Sequence, residues 1–212
     1  MKHWMPWILV ALIALSGGAW SAAWLSGSGP SEPPETEATW LEGGRVITDF
    51  DLIDQDETRF DNERLQGQWT FMFFGFTYCP DICPMSLAAM NQIESLLAET
   101  GDDEDLQVVF VSVDPERDTP ERLAEYVSWF GEDYLGVTGE MERIEVLTRD
   151  LGIVHARHDT GDGDGDGDYQ IDHSAQFLLI NPDGHLQAIF RYPHEPESIA
   201  SDFRQMRAYH EG

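Results

Sequence analysis

An α/β sandwich with a mixed central sheet, preceded by one N-terminal transmembrane helix, is the architecture this sequence predicts. Three observations carry the expectation. Two apolar runs of strand length, WTFMFFGF at 69–76 and LQVVFVSV at 106–113, are separated by a segment with helical apolar spacing. Continuous runs of this kind mark strands buried on both faces, the habit of parallel strands joined by helices. NPDG at 181–184 sits between SAQFLLI and HLQAIFRY and marks the tight turn of an antiparallel hairpin. The segment 4–24, WMPWILVALIALSGGAWSAAW, carries no charge and has the length of a bilayer span.

The elements follow in chain order. Lys2 and the α-amine precede the apolar segment, and no further Lys or Arg appears until Arg45. The positive-inside rule then keeps the N-terminus in the cytoplasm and exports the remainder. Residues 1–25 are expected to be an inner-membrane anchor, with tryptophans at 4, 7, 20 and 24 forming interfacial belts and the domain facing the periplasm. A cleaved signal peptide ending near Ser21-Ala22-Ala23 is the competing reading. Residues 26–40, rich in Ser, Gly, Pro and Glu, read as a flexible linker, and 41–212 as the globular domain. RVITDFDLID alternates and then turns at Gln55-Asp56, which suggests a hairpin or edge pair. After the first buried run, Met85, Ala89, Ile93 and Leu96 recur at helical spacing until Gly101. After the second, Asp118-Thr119-Pro120-Glu121 opens a helix with a cap, a proline in the first turn and an acid. Glu140–Asp150 is a third amphipathic segment. IVHARH (153–158) and SAQFLLI (174–180) are strands flanking a loop, HLQAIFRY is the hairpin partner, and a last helix spans roughly 196–209. Two parallel strands joined by helices, completed by an antiparallel hairpin and a covering helix, form a thioredoxin-like sandwich.

Charge removes one class of function. Acidic residues number 40 against 12 basic, for a formal net charge of -28, and Lys2 is the only lysine. Such a surface repels nucleic acid, so no nucleic-acid partner is expected. The content of aliphatic and aromatic residues is too high for a disordered acidic tail.

Both cysteines of the chain, Cys79 and Cys83, lie in FTYCPDICP at the end of the first buried run. Each precedes a proline. The X-Pro constraint keeps Cys79 in the loop and puts Cys83 near the N-cap, with Pro84 at the first helical position. Helix N-terminal N–H groups there favour a thiolate. Two exported cysteines would by default form a structural disulfide, but a low-pKa pair at a helix N-terminus also serves thiol exchange or a soft metal. A third ligand separates these readings, and His173, in IDHSAQF at the start of a strand entering the hairpin, is the candidate. Two thiolates and an imidazole suit Cu(I), and Cu(II) with added ligands. A surface hydrogen-bonding histidine is the alternative.

FTYCPDICP, SVDPERDTPE after the next strand, VTGE at 137–140 and DHSAQFLLINPDG together resemble the SCO/SenC family over about residues 46–207. The resemblance implies a membrane-anchored, thioredoxin-fold copper protein associated with cytochrome c oxidase assembly, with Cys79, Cys83 and His173 as copper ligands. It implies two partners, an oxidase subunit carrying a copper centre and a periplasmic copper donor. Two functions follow, a copper metallochaperone and a membrane-anchored thiol-disulfide oxidoreductase that reduces the target cysteines. The second would leave His173 dispensable.

The remaining conspicuous residues have weaker signals. Asp114 either tunes the site or holds a loop, and Asp172 beside His173 is a candidate to orient the imidazole. Asp81 reads as a solvated turn residue. His155, His158, His185, His194 and His210 read as surface residues. GDGDGDGD at 161–168 imitates half of a calcium loop, but its twelfth position, counted from Asp162, is His173 rather than glutamate, so a solvated loop is expected.

Overall fold

The computed structural model describes residues 33–159 and 169–212. In chain order the elements are β1 (Thr39–Val46), β2 (Asp51–Asp54), β3 (Arg59–Asp61), β4 (Trp69–Gly75), α1 (Ile82–Ala98), β5 (Leu106–Ser112), α2 (Pro120–Ser128), β6 (Leu135–Thr138) and α3 (Met141–Leu151). There follow β7 (His155–Asp159), β8 (Tyr169–His173), β9 (Phe177–Ile180), β10 (His185–Phe190) and α4 (Pro196–Glu211), with a short 3-10 turn at Asn62–Leu65. The packing described below lies within Glu35–Arg204, one compact unit.

The run WTFMFFG became the buried strand its composition implied, with every residue of β4 buried. It pairs in parallel with β5 and antiparallel with β9. The main sheet runs β1-β10-β9-β4-β5-β6-β2-β3 among the described residues. The arrangement is thus thioredoxin-like and mixed, as expected, but three parallel strands form it rather than two. The strand LGVT of β6 pairs in parallel with β5 and escaped sequence reading because it is four residues long and contains a glycine. That glycine has a packing reason. A Cβ at Gly136 would stand 2.8 Å from Leu123 Cβ, so its absence lets α2 lie close on the strand.

The sheet has an apolar layer on each face. Met72, Phe74 and Phe76 join Val109, Val111 and Val137 under Ile144, Leu147 and Leu151 of α3. Alternate residues Phe71 and Phe73 face the other way. There Phe203 of α4 packs 5.7 Å from the Phe71 ring, and Phe177 5.5 Å from Phe73. The side chains alternate because successive Cβ atoms of a strand point to opposite faces.

Several local expectations shift. The helix after the cysteine loop starts at Ile82, so Cys83 lies inside its first turn rather than at the cap. Its buried stripe is Cys83, Ser86, Leu87, Met90, Ile93 and Leu97, whereas Met85 is exposed. The segment is apolar on more than one face, and burial of Cys83 against the sheet selects which face turns inward. α2 begins as its sequence said. Thr119 caps it by accepting from the Arg122 N–H at 3.3 Å, and Pro120 follows at the first helical position.

The expected linker yields to structure early. Glu37 and Ala38 N–H groups donate to the Asp202 carboxylate at 2.9 and 3.2 Å, and β1 then pairs with β10. IVHARH pairs not with the sheet but with β8, a strand absent from the sequence reading. The two form a separate antiparallel ribbon. SAQFLLI is shortened to Phe177–Ile180, so His173 ends the ribbon instead of starting a sheet strand. At NPDG, Asn181 Oδ1 accepts from Asp183 and His185 N–H, and Gly184 takes the left-handed φ of +78 that the turn needs. The proposed anchor and the Gly-Asp repeat lie outside the described residues. Among the described residues, no helix is long and apolar enough to cross a membrane.

Candidate metal centre

Three elements build the site. β4 ends at Gly75, and a loop then carries Cys79 to the start of α1, which places Cys83 in its first turn. The ribbon strand β8 brings His173 over both sulfurs. The ligand atoms of Cys79, Cys83 and His173 all lie within 4.8 Å of one another. Cys83 Sγ is 3.1 Å from His173 Nε2, and the Cys83 N–H donates to Cys79 Sγ at 3.4 Å. Both cysteines are free thiols. Two sulfurs and one imidazole nitrogen converging in this way are a soft donor set that fits Cu(I).

The two thiols differ. Hydrogen bonding from Cys83, and secondarily from His173, holds the half-buried Cys79 well below the ordinary thiol value. Burial pushes Cys83 far up. A thiolate at Cys79 beside a protonated, buried Cys83 is the metal-free state this geometry favours.

Gly75 makes room for the buried sulfur. A Cβ there would stand 2.6 Å from Cys83 Sγ and 2.8 Å from Phe110 Cε2. The sulfur therefore rests against bare backbone. The only hint in the sequence was a glycine interrupting WTFMFFGF immediately before the motif. His173 in turn stands edge-on to the Phe73 and Phe76 rings, each with centroids 5.9 Å away.

Of the two aspartates, Asp114 and Asp172, only Asp114 takes a role that the sequence offered it, that of holding a loop. Asp172 does not orient the imidazole. Its carboxylate pairs with His158 Nε2 at 3.0 Å on the outer face of the ribbon, while His173 Nδ1 lies 3.2 Å from the Ser174 carbonyl. The reason is strand alternation. Asp172 and His158 share the solvent face, while Tyr169, Ile171 and His173 share the inner one. Asp114, buried beneath the site, binds Arg117 Nε and accepts from the Tyr169 hydroxyl. It ties a loop to the ribbon rather than approaching the ligands. Asp81 is exposed at the cap position of α1, with no side-chain cap bond.

Sequence reading placed Asp118 in the helix-opening motif and missed its part in supporting the cysteine loop. Asp118 is fully buried and accepts from Thr77 N–H at 2.9 Å, Thr77 hydroxyl at 2.6 Å and Ser112 hydroxyl at 2.6 Å. Burial outweighs these donors and pushes its pKa up. It anchors the start of the cysteine loop to the end of β5. His194 also differs from expectation, being stacked on Phe177 with centroids 3.7 Å apart. Burial lowers its pKa to about 4. An open cleft lined by Phe76, Cys79, Pro80, Ile82, Ile171 and His173 leads to the ligands from solvent.

The fold recurs in known proteins, two of them solved with copper bound. A Stutzerimonas stutzeri protein named as copper-binding is 40% identical over 150 residues, covering 70% of this chain and 71% of that one. The crystal structure of Arabidopsis thaliana ScoI with copper bound superposes with a TM-score of 0.70 at 33% identity, covering 77% of this chain and 99% of that one. Bradyrhizobium japonicum ScoI with copper bound gives 0.67 at 32% identity, covering 76% and 99%. The family model described as SCO1/SenC matches residues 39–208, a span that holds the sheet, both cysteines and the histidine, and this chain belongs to that family.

Proposed function

We propose that this chain is a copper metallochaperone that delivers copper to a cytochrome c oxidase copper centre during assembly. The observation that carries the reading is the convergence of Cys79, Cys83 and His173 at the mouth of an open cleft. Copper is the cargo. Cys79, Cys83 and His173 would hold it, and three-coordination leaves an approach from the cleft for an incoming ligand during transfer. The apolar segment 1–25 would anchor the domain in the inner membrane, facing the periplasm, within reach of a copper donor and of the oxidase subunit. Anaerobic Cu(I) titration of the reduced full chain tests the reading. One equivalent is expected, with severe weakening in His173→Ala and abolition on forming a Cys79–Cys83 disulfide. Equal copper retention by the disulfide form would sink it.

The asymmetry of the thiols favours a second reading, a thiol-disulfide oxidoreductase acting on the target's cysteines. The Cys79 thiolate would attack a target disulfide, and the Cys83 thiol would resolve the mixed disulfide, losing its proton as the target dithiol leaves. The chain would then carry a Cys79–Cys83 disulfide. His173 takes no bond in these steps. Normal oxidase assembly with His173→Ala, and failure with Cys79→Ser, would select this reading over copper delivery.

A further inference from the structure

Arginine and tyrosine side chains stack in an alternating row beside the metal centre. The guanidinium carbon of Arg122 lies 5.4 Å from the Tyr78 ring centre, and that of Arg117 lies 4.9 Å from the same ring. Arg117 and Arg157 each stand 3.6 Å from the centre of the Tyr169 ring. Two guanidinium groups at that distance must occupy opposite faces, so Tyr169 is sandwiched between them.

The row joins the two parts of the site. Tyr78 immediately precedes Cys79, and Tyr169 opens β8, the strand that ends in His173. Arg117 stands between them and touches Tyr169 in further ways. Its Nη1 donates to the Tyr169 carbonyl at 3.2 Å. Its Nε donates to Asp114, which accepts from the Tyr169 hydroxyl through its other oxygen. The Arg117 side chain is only 17% exposed. This bridge has a specific task because the β7–β8 ribbon forms a two-stranded sheet of its own, outside the main ladder. Backbone pairing therefore does not set the height of His173 over the sulfurs. The short link from His173 to Phe177 of β9 tethers one end of the ribbon, and side-chain contacts hold the rest.

We propose that Arg117 is a positioning residue for His173, an inference that rests on the copper reading of the site. Its planar fork spaces the ribbon from the cysteine loop, through Tyr169 on one side and Tyr78 on the other. Lysine cannot substitute. It lacks both the plane that stacks on an aromatic ring and the fork that reaches Asp114 and the Tyr169 carbonyl together.

A double-mutant cycle on the reduced full chain tests this, with Cu(I) affinity measured by competition against a chromophoric Cu(I) chelator. Arg117→Met and Arg117→Lys should each weaken binding about ten- to a hundredfold when His173 is present, the usual effect of losing a group that orients a metal ligand. In the His173→Ala background the same changes should cost less than about threefold, since the ligand they position is gone. Equal losses in both backgrounds would overturn the proposal and place Arg117's effect on the thiolates or on the fold. No loss in either would overturn it as well. If Arg117→Met does not fold, Arg117→Lys carries the cycle. A metal-free readout stands apart from copper. The nuclear Overhauser contact between the His173 and Phe73 rings, whose centroids are 5.9 Å apart, should weaken in either Arg117 variant, and an unchanged contact would refute the positioning role. A wild-type chain that binds no Cu(I) would refute the copper reading, while this ring contact would still decide the role of Arg117.

Discussion

Gly75→Ala tests the link between the fold and the metal centre with a single methyl group. The added Cβ would lie 2.6 Å from Cys83 Sγ and 2.8 Å from Phe110 Cε2. Ordinary contacts between such atoms are about 3.5–4.0 Å, so each neighbour must retreat by roughly 1 Å. Phe110 is fully buried in the packed face of the sheet, and Cys83 is fixed to the first turn of α1. Overpacking of this kind costs about 1–3 kcal/mol, read as a lower urea midpoint at an unchanged slope. The sulfur displacement matters more for function. Metal sites tolerate errors of only about 0.2 Å in ligand distance, and a 1 Å shift takes Cys83 out of range while Cys79 and His173 stay in place. Cu(I) affinity should therefore fall by a hundredfold or more, roughly 3 kcal/mol, beyond what the stability loss explains. Competition titration and urea denaturation on the same preparation separate the two effects. Wild-type copper affinity in a variant of lowered stability would refute the reasoning, because the sulfur would then not depend on the bare backbone beneath it.

Other expectations follow from the same geometry. Cys79 should be alkylated by iodoacetamide in preference to Cys83, with a rate nearly constant from pH 6 to 9. An ordinary thiol is only about 0.3% ionised at pH 6, so a rate that climbs steeply toward pH 8.5 would contradict the lowered pKa. His194 is neutral when folded, with its pKa lowered to about 4 from 6.5. Between these values the unfolded chain binds a proton that the native state does not, so stability should fall as pH drops through that window. With allowance for the ring's partial exposure the loss is about 2 kcal/mol. His194→Phe keeps a ring on Phe177 and should flatten that part of the urea-midpoint profile, whereas an unchanged slope would assign it to other groups. Asp118→Ala orphans the Thr77 and Ser112 donors and should cost about 3 kcal/mol in urea unfolding. A loss under 1 kcal/mol would mean that the loop does not depend on this anchor.

What the sequence determined alone is local in origin. Buried strands announce themselves by uninterrupted apolar runs, α2 by Thr119-Pro120, and the β9–β10 hairpin by NPDG, because each signal is read within a few neighbouring residues. The candidate ligands were legible because two cysteines in one short motif and a motif-bound histidine leave little choice of residue. Their support was not. Gly75 matters through an atom it lacks, opposite a sulfur eight residues onward. Asp118 matters through donors at Thr77 and Ser112, and Arg117 through rings at 78 and 169. The strand β8, YQIDH, alternates over only five residues beside the Gly-Asp repeat, too short a signal to stand alone, and its pairing with β7 makes it a strand. Likewise Asp172 adjoins His173 in the chain yet faces solvent, since alternation along a strand separates neighbours that a sequence sets side by side. Donor identity is a property of residues, whereas distance, burial and orientation belong to segments far apart in the chain, and only tertiary packing decides them.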